Sequence, residues 1–299
     1  MFDVPSMKDA SPKDNSQNTA RLMKAEPFPL YRNLLEDFVR LSAGKHNFHI
    51  LTSYDISAFS DFSKRCRSER KRPPSLVAYV ARCLAVVLAK NSAFTSARQG
   101  NTLWTHDGVN IVLTVAAKTD RGETLPLLLQ IDETQSKTLA QIADELTTRA
   151  RRLKRNPIKT GRALKAAAWF ARRPLWFRRG AYFLGGRLPV ANRHMTRFQA
   201  NVGLTSTAEF AQGRGGWGVP IFLPFSISLA LGGTSRRAVV VGNEIVAREC
   251  LDVTLTFDHI ISDGAPATQL AAILGEEIES GRLLQEFDLS PTQTATRPT

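Results

Sequence analysis

The strictest pattern in this chain is an alternation of apolar and polar side chains over residues 250–258. Such alternation is typical of a β-strand that turns one face towards a core and the other face away from it. The first face would carry Leu251, Val253, Leu255 and Phe257, and the second Asp252, Thr254, Thr256 and Asp258. The segment is therefore predicted to be a strand with two chemically different faces.

A turn motif follows this strand directly. The sequence His-Ile-Ile-Ser-Asp-Gly places an imidazole at His259 and a carboxylate four residues later, at Asp263. Pro266 and the apolar residues after it, at helical spacing, predict a helix that Gly281 ends. A histidine on a rigid strand edge beside a sharp turn is well held and reachable by a substrate. His259 is therefore the candidate general base.

Helix and strand signals are mixed along the rest of the chain, which favours an α/β fold or α+β sandwich. The predicted strands cover residues 48–56, 110–117, 124–131, 199–204, 225–231 and 238–241, and the predicted helices 31–41, 75–90 and 138–153. We expect a disordered arm at 1–27, one domain at 28–285 and a disordered tail at 286–299. A basic, aromatic-rich insertion occupies about 150–197 of that domain.

The three cysteines show no paired spacing, so we expect neither a disulfide framework nor a zinc site. Cys66 stands among basic residues and is interpreted as a surface thiol. The first residues lack the apolar core of a signal peptide, which predicts a cytoplasmic protein. The sequence G-x-G-x-x-G at 213–218 matches a dinucleotide fingerprint, but Val219 and Pro220 follow it where a helix is needed. We interpret it as a flexible loop near the substrate channel.

One segment carries the whole excess of positive charge. The chain has a formal net charge of +13, and residues 146–208 contain 15 Lys or Arg with no Asp or Glu. Three interpretations stay open: a helical insertion that packs on the core, a contact through 149–197 with an anionic membrane surface or an acidic carrier protein, and nucleic-acid binding. Nucleic acid is the least favoured, because no recognition fold accompanies the charge. A membrane contact would add a peripheral position to the cytoplasmic location.

Several blocks of sequence together resemble the catalytic domain of the 2-oxoacid dehydrogenase acyltransferases, the dihydrolipoamide acyltransferase core. The strongest is Leu-Thr-Phe-Asp-His-Ile-Ile-Ser-Asp-Gly-Ala-Pro-Ala at 255–267, which is similar to the signature of that family. The others are 107–117, 136–143, 202–206 (Val-Gly-Leu-Thr-Ser) and 228–233 (Ser-Leu-Ala-Leu-Gly-Gly). These blocks follow one another in the order that the family has, from about residue 28 to residue 284.

The resemblance implies a chloramphenicol acetyltransferase-like fold, in which helices flank a mixed β-sheet. It also implies a homotrimer or a higher assembly of trimers, with active sites between subunits. The implied reaction moves an acyl group between a coenzyme A thioester and a thiol, hydroxyl or amine acceptor, without a metal. The lipoamide of another protein is one such acceptor.

The resemblance also assigns roles to residues. The hydroxyl that stabilises the oxyanion, usually a serine in the family, falls at Thr205, with Ser206 as the alternative. Asp263 is expected to pair with an arginine, for which Arg32 is the candidate. His259 would remove the proton of the attacking thiol, whose ordinary pKa of about 8.5 leaves it mostly protonated at neutral pH.

Three departures from the family pattern bear on the function. About 27 residues precede the domain, so we expect a stand-alone enzyme without a lipoyl domain. Ile260 stands where the family commonly has arginine. The basic segment at about 150–197 is longer than the connection that the family usually has at this place. The alternative function is therefore a catalytically inactive trimeric scaffold that binds a membrane or an acidic partner through this segment.

Overall fold

The structure is a computed structural model. It describes residues 33, 36, 37, 39, 45–118, 124–155, 169–187, 201–220 and 224–288. The predicted N-terminal arm lies outside these residues, as does nearly all of the predicted tail. Of the predicted helix at 31–41, the four described residues are helical.

Six strands form one mixed sheet in the order β1-β8-β7-β6-β4-β5. Their bounds are β1 Asn47–Asp55, β4 Ile111–Lys118, β5 Thr124–Ile131, β6 Val202–Ser206, β7 Ile227–Val241 and β8 Glu244–Asp258. Strand β6 runs parallel to β4 and β7, and the other neighbours are antiparallel. A separate hairpin consists of β2 (Ser96–Gln99) and β3 (Thr102–Thr105).

Helices flank this sheet, so the predicted fold class is confirmed. Their bounds are α1 Ser57–Ser68, α2 Leu76–Ala89, α3 Leu139–Arg155, α4 Leu175–Arg187, α5 Gly264–Ser280 and α6 Gln285–Asp288. Helix α2 begins as predicted, because the Ser75 side chain accepts a hydrogen bond from the Ala78 N–H. Helix α5 ends at Gly281, whose φ of 67° suits glycine.

The core lies between the helices and one face of the sheet. In β8 this face carries the four predicted apolar residues, all of them fully buried. They share a cluster with buried residues of α1, α2, α3 and α5. Cys66 belongs to this cluster at 2% exposure, so its interpretation as a surface thiol is wrong. It lies on the inward face of α1, a helix that the sequence reasoning did not identify.

The loop at 213–218, called the glycine-rich loop, docks on a bulge in β7. The register of β7 against β8 shifts between Leu231 and Thr234, and the intervening Gly233 donates its N–H to the Gly216 carbonyl at 2.8 Å. A methyl group on Gly233 would overlap the Arg214 carbonyl. Strand β7 therefore continues through the bulge, where the sequence had predicted two separate strands.

A buried carboxylate holds the same loop from the other side. Asp252 accepts hydrogen bonds from Arg237 Nη2 at 2.5 Å, Ser53 Oγ at 2.6 Å and Gly216 N–H at 2.6 Å. Burial works to raise the pKa of Asp252, but these hydrogen bonds outweigh it and lower the pKa. Trp217 adds a hydrogen bond from Nε1 to the Thr52 carbonyl at 2.8 Å. The loop is thus fixed to β1, β7 and β8 together.

Beyond the bulge, β7 and β8 extend as a two-stranded ribbon that turns at Gly242 and Asn243. Its apolar side chains are largely uncovered. Val240 is 69% exposed, Val241 45% and Ile245 77%. Exposed apolar side chains grouped in this way mark a surface that another molecule covers.

The bulge contact gives a prediction for stability. Replacing Gly233 by alanine should lower the free energy of unfolding by about 1–3 kcal/mol, because the methyl group meets backbone that must move. Gly218→Ala is the matched control, since a methyl group at Gly218 meets no atom within 4 Å. Urea denaturation of the two variants measures the difference, and equal stability would contradict the docking of the loop.

Candidate active site

His259 lies immediately after the last residue of β8, at the end of that strand and beside β1. Its backbone N–H donates a hydrogen bond to the His46 backbone carbonyl at 2.8 Å. Its ring lies against Phe48, with the ring centroids 5.1 Å apart. The side chain is 57% exposed. The imidazole is therefore positioned by backbone and ring contacts while it stays open to a substrate.

The residue that organises the turn is Asp258, which sequence reasoning did not single out. Its side chain is 4% exposed and lies 2.6 Å from Lys45 Nζ. The other carboxylate oxygen accepts from the Ile260 N–H at 3.2 Å, and the Asp258 carbonyl accepts from the Ser262 N–H at 3.1 Å. Its place directly before the histidine, on the polar face of β8, was the available signal.

Asp263 occupies the N-cap position of α5, but its side chain makes no capping hydrogen bond. It is 84% exposed, and its Oδ1 lies 3.6 Å from His259 Nδ1. This distance is too long for a hydrogen bond but brings a negative charge close to the imidazole. Arg32, the expected partner of Asp263, lies outside the described residues.

Thr205 and Ser206 end strand β6, and the alternation of the strand turns them to opposite faces of the sheet. Leu204 lies in the core, so Ser206 shares the face of the helices and Thr205 takes the polar face. In the sheet register, Thr205 is level with Ala230 and, one strand further, with Thr254.

This register separates Thr205 from His259 within one chain. His259 stands two strands away from Thr205 and five residues beyond Thr254 along β8. At about 3.3 Å per residue and 4.8 Å per strand, the two Cα atoms are roughly 19 Å apart. One chain therefore does not bring these two predicted residues to the same reacting atom.

A cleft of about 310 Å³ opens at the end of β6 on the helix side. Ser206, Ser63, Lys64, Arg67 and Glu249 contribute its polar lining, and the start of α2 lies against it. The Ser63 hydroxyl is buried and has no hydrogen-bond partner among the described residues. The volume and mixed lining suit part of an organic ligand that carries negative charge.

The polar face beside Thr205 contains two further buried hydroxyls. Ser228 Oγ and Thr254 Oγ1 have no hydrogen-bond partner within the described part of the chain. Next to them, His49 Nδ1 lies 2.9 Å from Thr256 Oγ1, and burial lowers the pKa of His49. Buried hydroxyls without partners cost free energy, so the polar face carries two groups that the described side chains leave unsatisfied.

Within the described ranges, no group of three or more metal-ligating side chains occurs. No described helix is long and apolar enough to cross a bilayer.

Comparison with known proteins confirms the resemblance inferred from the sequence. The family model of the 2-oxoacid dehydrogenases acyltransferase catalytic domain matches residues 215–285, which include the bulge, β8 and the His259 turn. The dihydrolipoyllysine-residue acetyltransferase component of the pyruvate dehydrogenase complex from Rickettsia prowazekii is 21% identical over 203 residues. The match covers 67% of this chain and 40% of that relative, so this chain spans less than half of its length.

Solved structures share the fold. Azotobacter vinelandii dihydrolipoamide acetyltransferase superposes with a TM-score of 0.64 at 18% identity, over 93% of this chain and 100% of that one. A probable dihydrolipoamide acetyltransferase from Listeria monocytogenes gives a TM-score of 0.62 at 18% identity, over 91% and 98%. The cubic core of a pyruvate dehydrogenase multienzyme complex also gives 0.62, at 19% identity over 93% and 100%.

The two aspartates that flank His259 make a matched pair for a test. Asp258→Asn should destabilise the chain by about 3 kcal/mol, because it removes the charge that Lys45 faces in a nearly buried pair. Asp263→Asn should change stability by less than about 0.5 kcal/mol, since its carboxylate is exposed. Thermal or urea unfolding measures both, and a larger loss at Asp263 would refute the assignment of Asp258 to the turn.

Proposed function

We propose that this chain is an acyltransferase that uses coenzyme A thioesters, with His259 as the general base. The observation that carries the proposal is the exposed imidazole on a rigid strand–turn–helix, in the fold of dihydrolipoamide acetyltransferase cores. The proton of the acceptor thiol passes to the imidazole, and the sulfur attacks the thioester carbonyl. The bond between the carbonyl carbon and the coenzyme A sulfur then breaks, and the coenzyme A thiolate takes a proton back.

A solved relative supports the choice of residues. The Azotobacter vinelandii structure was described for the role of a serine, a histidine and an asparagine in the catalytic mechanism of that enzyme. Its asparagine follows its histidine by four residues, as Asp263 follows His259 here. We propose that the Asp263 carboxylate acts on the His259 imidazole through its negative charge, because Asp263 Oδ1 lies 3.6 Å from His259 Nδ1.

The oxyanion donor is assigned to Thr205 of a neighbouring subunit. The tetrahedral intermediate needs a preorganised donor, and a separation of roughly 19 Å keeps Thr205 away from His259 of its own chain. A second copy can place its Thr205 opposite this His259. Ser206 is the second candidate, because it lines the cleft.

The assembly that this site requires is proposed to be a homotrimer, alone or within a larger assembly. The exposed apolar ribbon of β7 and β8 supports this proposal, since a second copy would cover Val240 and Ile245. A solved structure of this fold, the cubic core of a pyruvate dehydrogenase multienzyme complex, supports the proposal of a larger assembly. A closed ring of three identical contacts gives three equivalent sites.

The cleft at the end of β6 is assigned to the coenzyme A end of the substrate. Arg67 and Lys64 line it, and both are exposed cations that can contact phosphate groups. Lys64 also pairs with Asp61 at 2.9 Å, so Arg67 is the cation that carries the assignment. Ser206, which follows Thr205 in β6, lines this cleft.

The acceptor is proposed to be a thiol, and dihydrolipoamide on another protein is the leading candidate. The curated relatives are named as dihydrolipoyllysine-residue acetyltransferases of the pyruvate dehydrogenase complex. Hydroxyl and amine acceptors remain alternatives that an acceptor screen separates. The proposed location is the cytoplasm.

Mixed assemblies test the base and the shared site together. His259→Ala should lower acyl transfer about 100- to 10,000-fold, and Thr205→Val about 100- to 1,000-fold. When both variants are co-expressed, random mixing should restore about a quarter of the sites, because each site takes one residue from each of two chains. Thiol release from acetyl-coenzyme A with dihydrolipoamide measures the rates.

Ser206→Ala is the matched control for the threonine. This variant should keep activity within a few-fold of wild type. If it abolished turnover, Ser206 would replace Thr205 as the assigned oxyanion donor. Wild-type activity of His259→Ala would refute the proposed mechanism. If every mixed assembly were inactive while both variants were folded, the shared site would be refuted. The role of His259 as the base would then be tested by the His259→Ala variant alone.

The cleft assignment makes a prediction about substrate size. Arg67→Gln should raise the KM for acetyl-coenzyme A on the order of tenfold and leave kcat unchanged, because it removes a phosphate contact. With acetylpantetheine, which lacks the nucleotide, the variant should match wild type. Arg98→Gln, an exposed arginine of strand β2 outside the cleft, is the control. An equal effect on both substrates would contradict the assignment.

The second candidate function is the inactive trimeric scaffold. The exposed aromatic and basic residues of α4 favour it, because acyl transfer does not use them. An assembled, folded wild-type chain that releases no thiol across a panel of acyl-coenzyme A substrates and acceptors would favour the scaffold over the enzyme.

A further inference from the structure

Helix α4 is held through its polar side to the helical residues Asn33 and Asp37. Arg178 is buried, and its Nη1 lies 2.8 Å from Asp37 Oδ2 and donates to the Asn33 carbonyl at 3.0 Å. The Tyr182 hydroxyl lies 3.4 Å from the same Asp37 oxygen. Just before the helix, Asn33 Nδ2 donates to the Ala171 carbonyl at 3.1 Å. The inward face of this segment is therefore held by ionic and hydrogen-bonded contacts.

The outward face of the same segment is apolar and aromatic. Trp176 is 74% exposed, Phe183 59% and Leu184 65%, and Trp169 before the helix is 53% exposed. Trp169, Trp176 and Phe183 recur at intervals of seven residues, which keeps Trp176 and Phe183 on one side of α4. We call these four residues the aromatic face.

An ordinary surface helix buries its apolar side chains and exposes its charged ones. Helix α4 departs from this pattern, because Arg178 is buried while Trp176 and Phe183 are exposed. The Arg178–Asp37 pair fixes the orientation, because rotation of the helix would leave both charges without a partner. The aromatic face is thus held outwards, where it requires an apolar medium.

The surrounding charge identifies that medium. Arg172, Arg173 and Arg179 are exposed beside the aromatic face, and Arg173 stacks on Trp169 at 4.1 Å from the ring centroid. Residues 146–208 contain no acidic residue. Two copies meeting through this surface would bring like charges together, so self-association is disfavoured. Tryptophan and arginine together are the composition that anchors a helix at an anionic membrane surface.

We infer that the aromatic face, with its three flanking arginines, docks on an anionic lipid bilayer. The rings insert at the level of the acyl-chain boundary, and the guanidinium groups contact lipid phosphates. The contact is peripheral and adds a membrane position to the proposed acyltransferase. It rests on α4 and its anchor alone, so its failure would not affect the proposed reaction.

Vesicle flotation of the full-length chain tests the inference. Wild type should float with phosphatidylcholine vesicles that contain a third phosphatidylglycerol, and should stay behind with pure phosphatidylcholine. Added salt should weaken the binding, because the attraction to the anionic surface is screened. Failure to float, or equal flotation with both lipids, would overturn the inference.

Two sets of variants separate the apolar and ionic parts. Trp176→Ser with Phe183→Ser should lower partitioning at least about tenfold, and Arg172→Gln with Arg173→Gln and Arg179→Gln on the order of 100-fold. Leu103→Ser with Trp104→Ser, a similarly exposed pair on β3, should float like wild type. Circular dichroism verifies that each variant is folded.

Three outcomes would replace the bilayer by another partner. Dissociation of the assembly in the Trp176 and Phe183 variant would assign the aromatic face to a contact between copies. Binding to polyglutamate without binding to vesicles would assign it to an acidic protein. Binding to RNA under the same condition would assign it to a nucleic acid. Each of these results overturns the lipid proposal.

Discussion

Burial of the apolar face of β8 in the core fixes the register on which the rest of the structure depends, and the polar face of its last residues is buried as well. This strand lies between β1 and β7, and its core residues are fully buried in the cluster that they share with the helices. A slip by one residue would turn every core side chain of the strand to the polar face. The same register places Asp252 under the glycine-rich loop, Asp258 next to Lys45, and His259 directly after the end of β8.

Sequence reasoning succeeds where the signal is local. The alternation in β8, the N-cap Ser75 and the terminating Gly281 each depend on neighbouring residues, and all three are confirmed. It fails where the partner is distant. Lys45 is 213 residues from Asp258, so no spacing in the sequence points to their contact. The predicted break in β7 has the same origin, because the loop that covers its bulge is not adjacent to it.

The site was predictable in its chemistry and less so in its geometry. A histidine after a strand and hydroxyls at the end of another strand can be identified from sequence. Their separation of roughly 19 Å follows only from the sheet order, which the sequence leaves open. That separation makes a shared site the natural interpretation. Thr205 and Ser206 lie on opposite faces of the sheet, so the sequence alone does not decide which of them is the oxyanion donor.

Strand β8 runs without interruption from the exposed ribbon near Ile245 to the end that carries His259. In the proposed assembly, one end of this strand contacts a neighbour and the other presents the base. A chain on its own then holds only half of each site. Catalytic output would rise more steeply than in proportion to the amount of protein made, so the cell would set activity through abundance as well as through substrate supply.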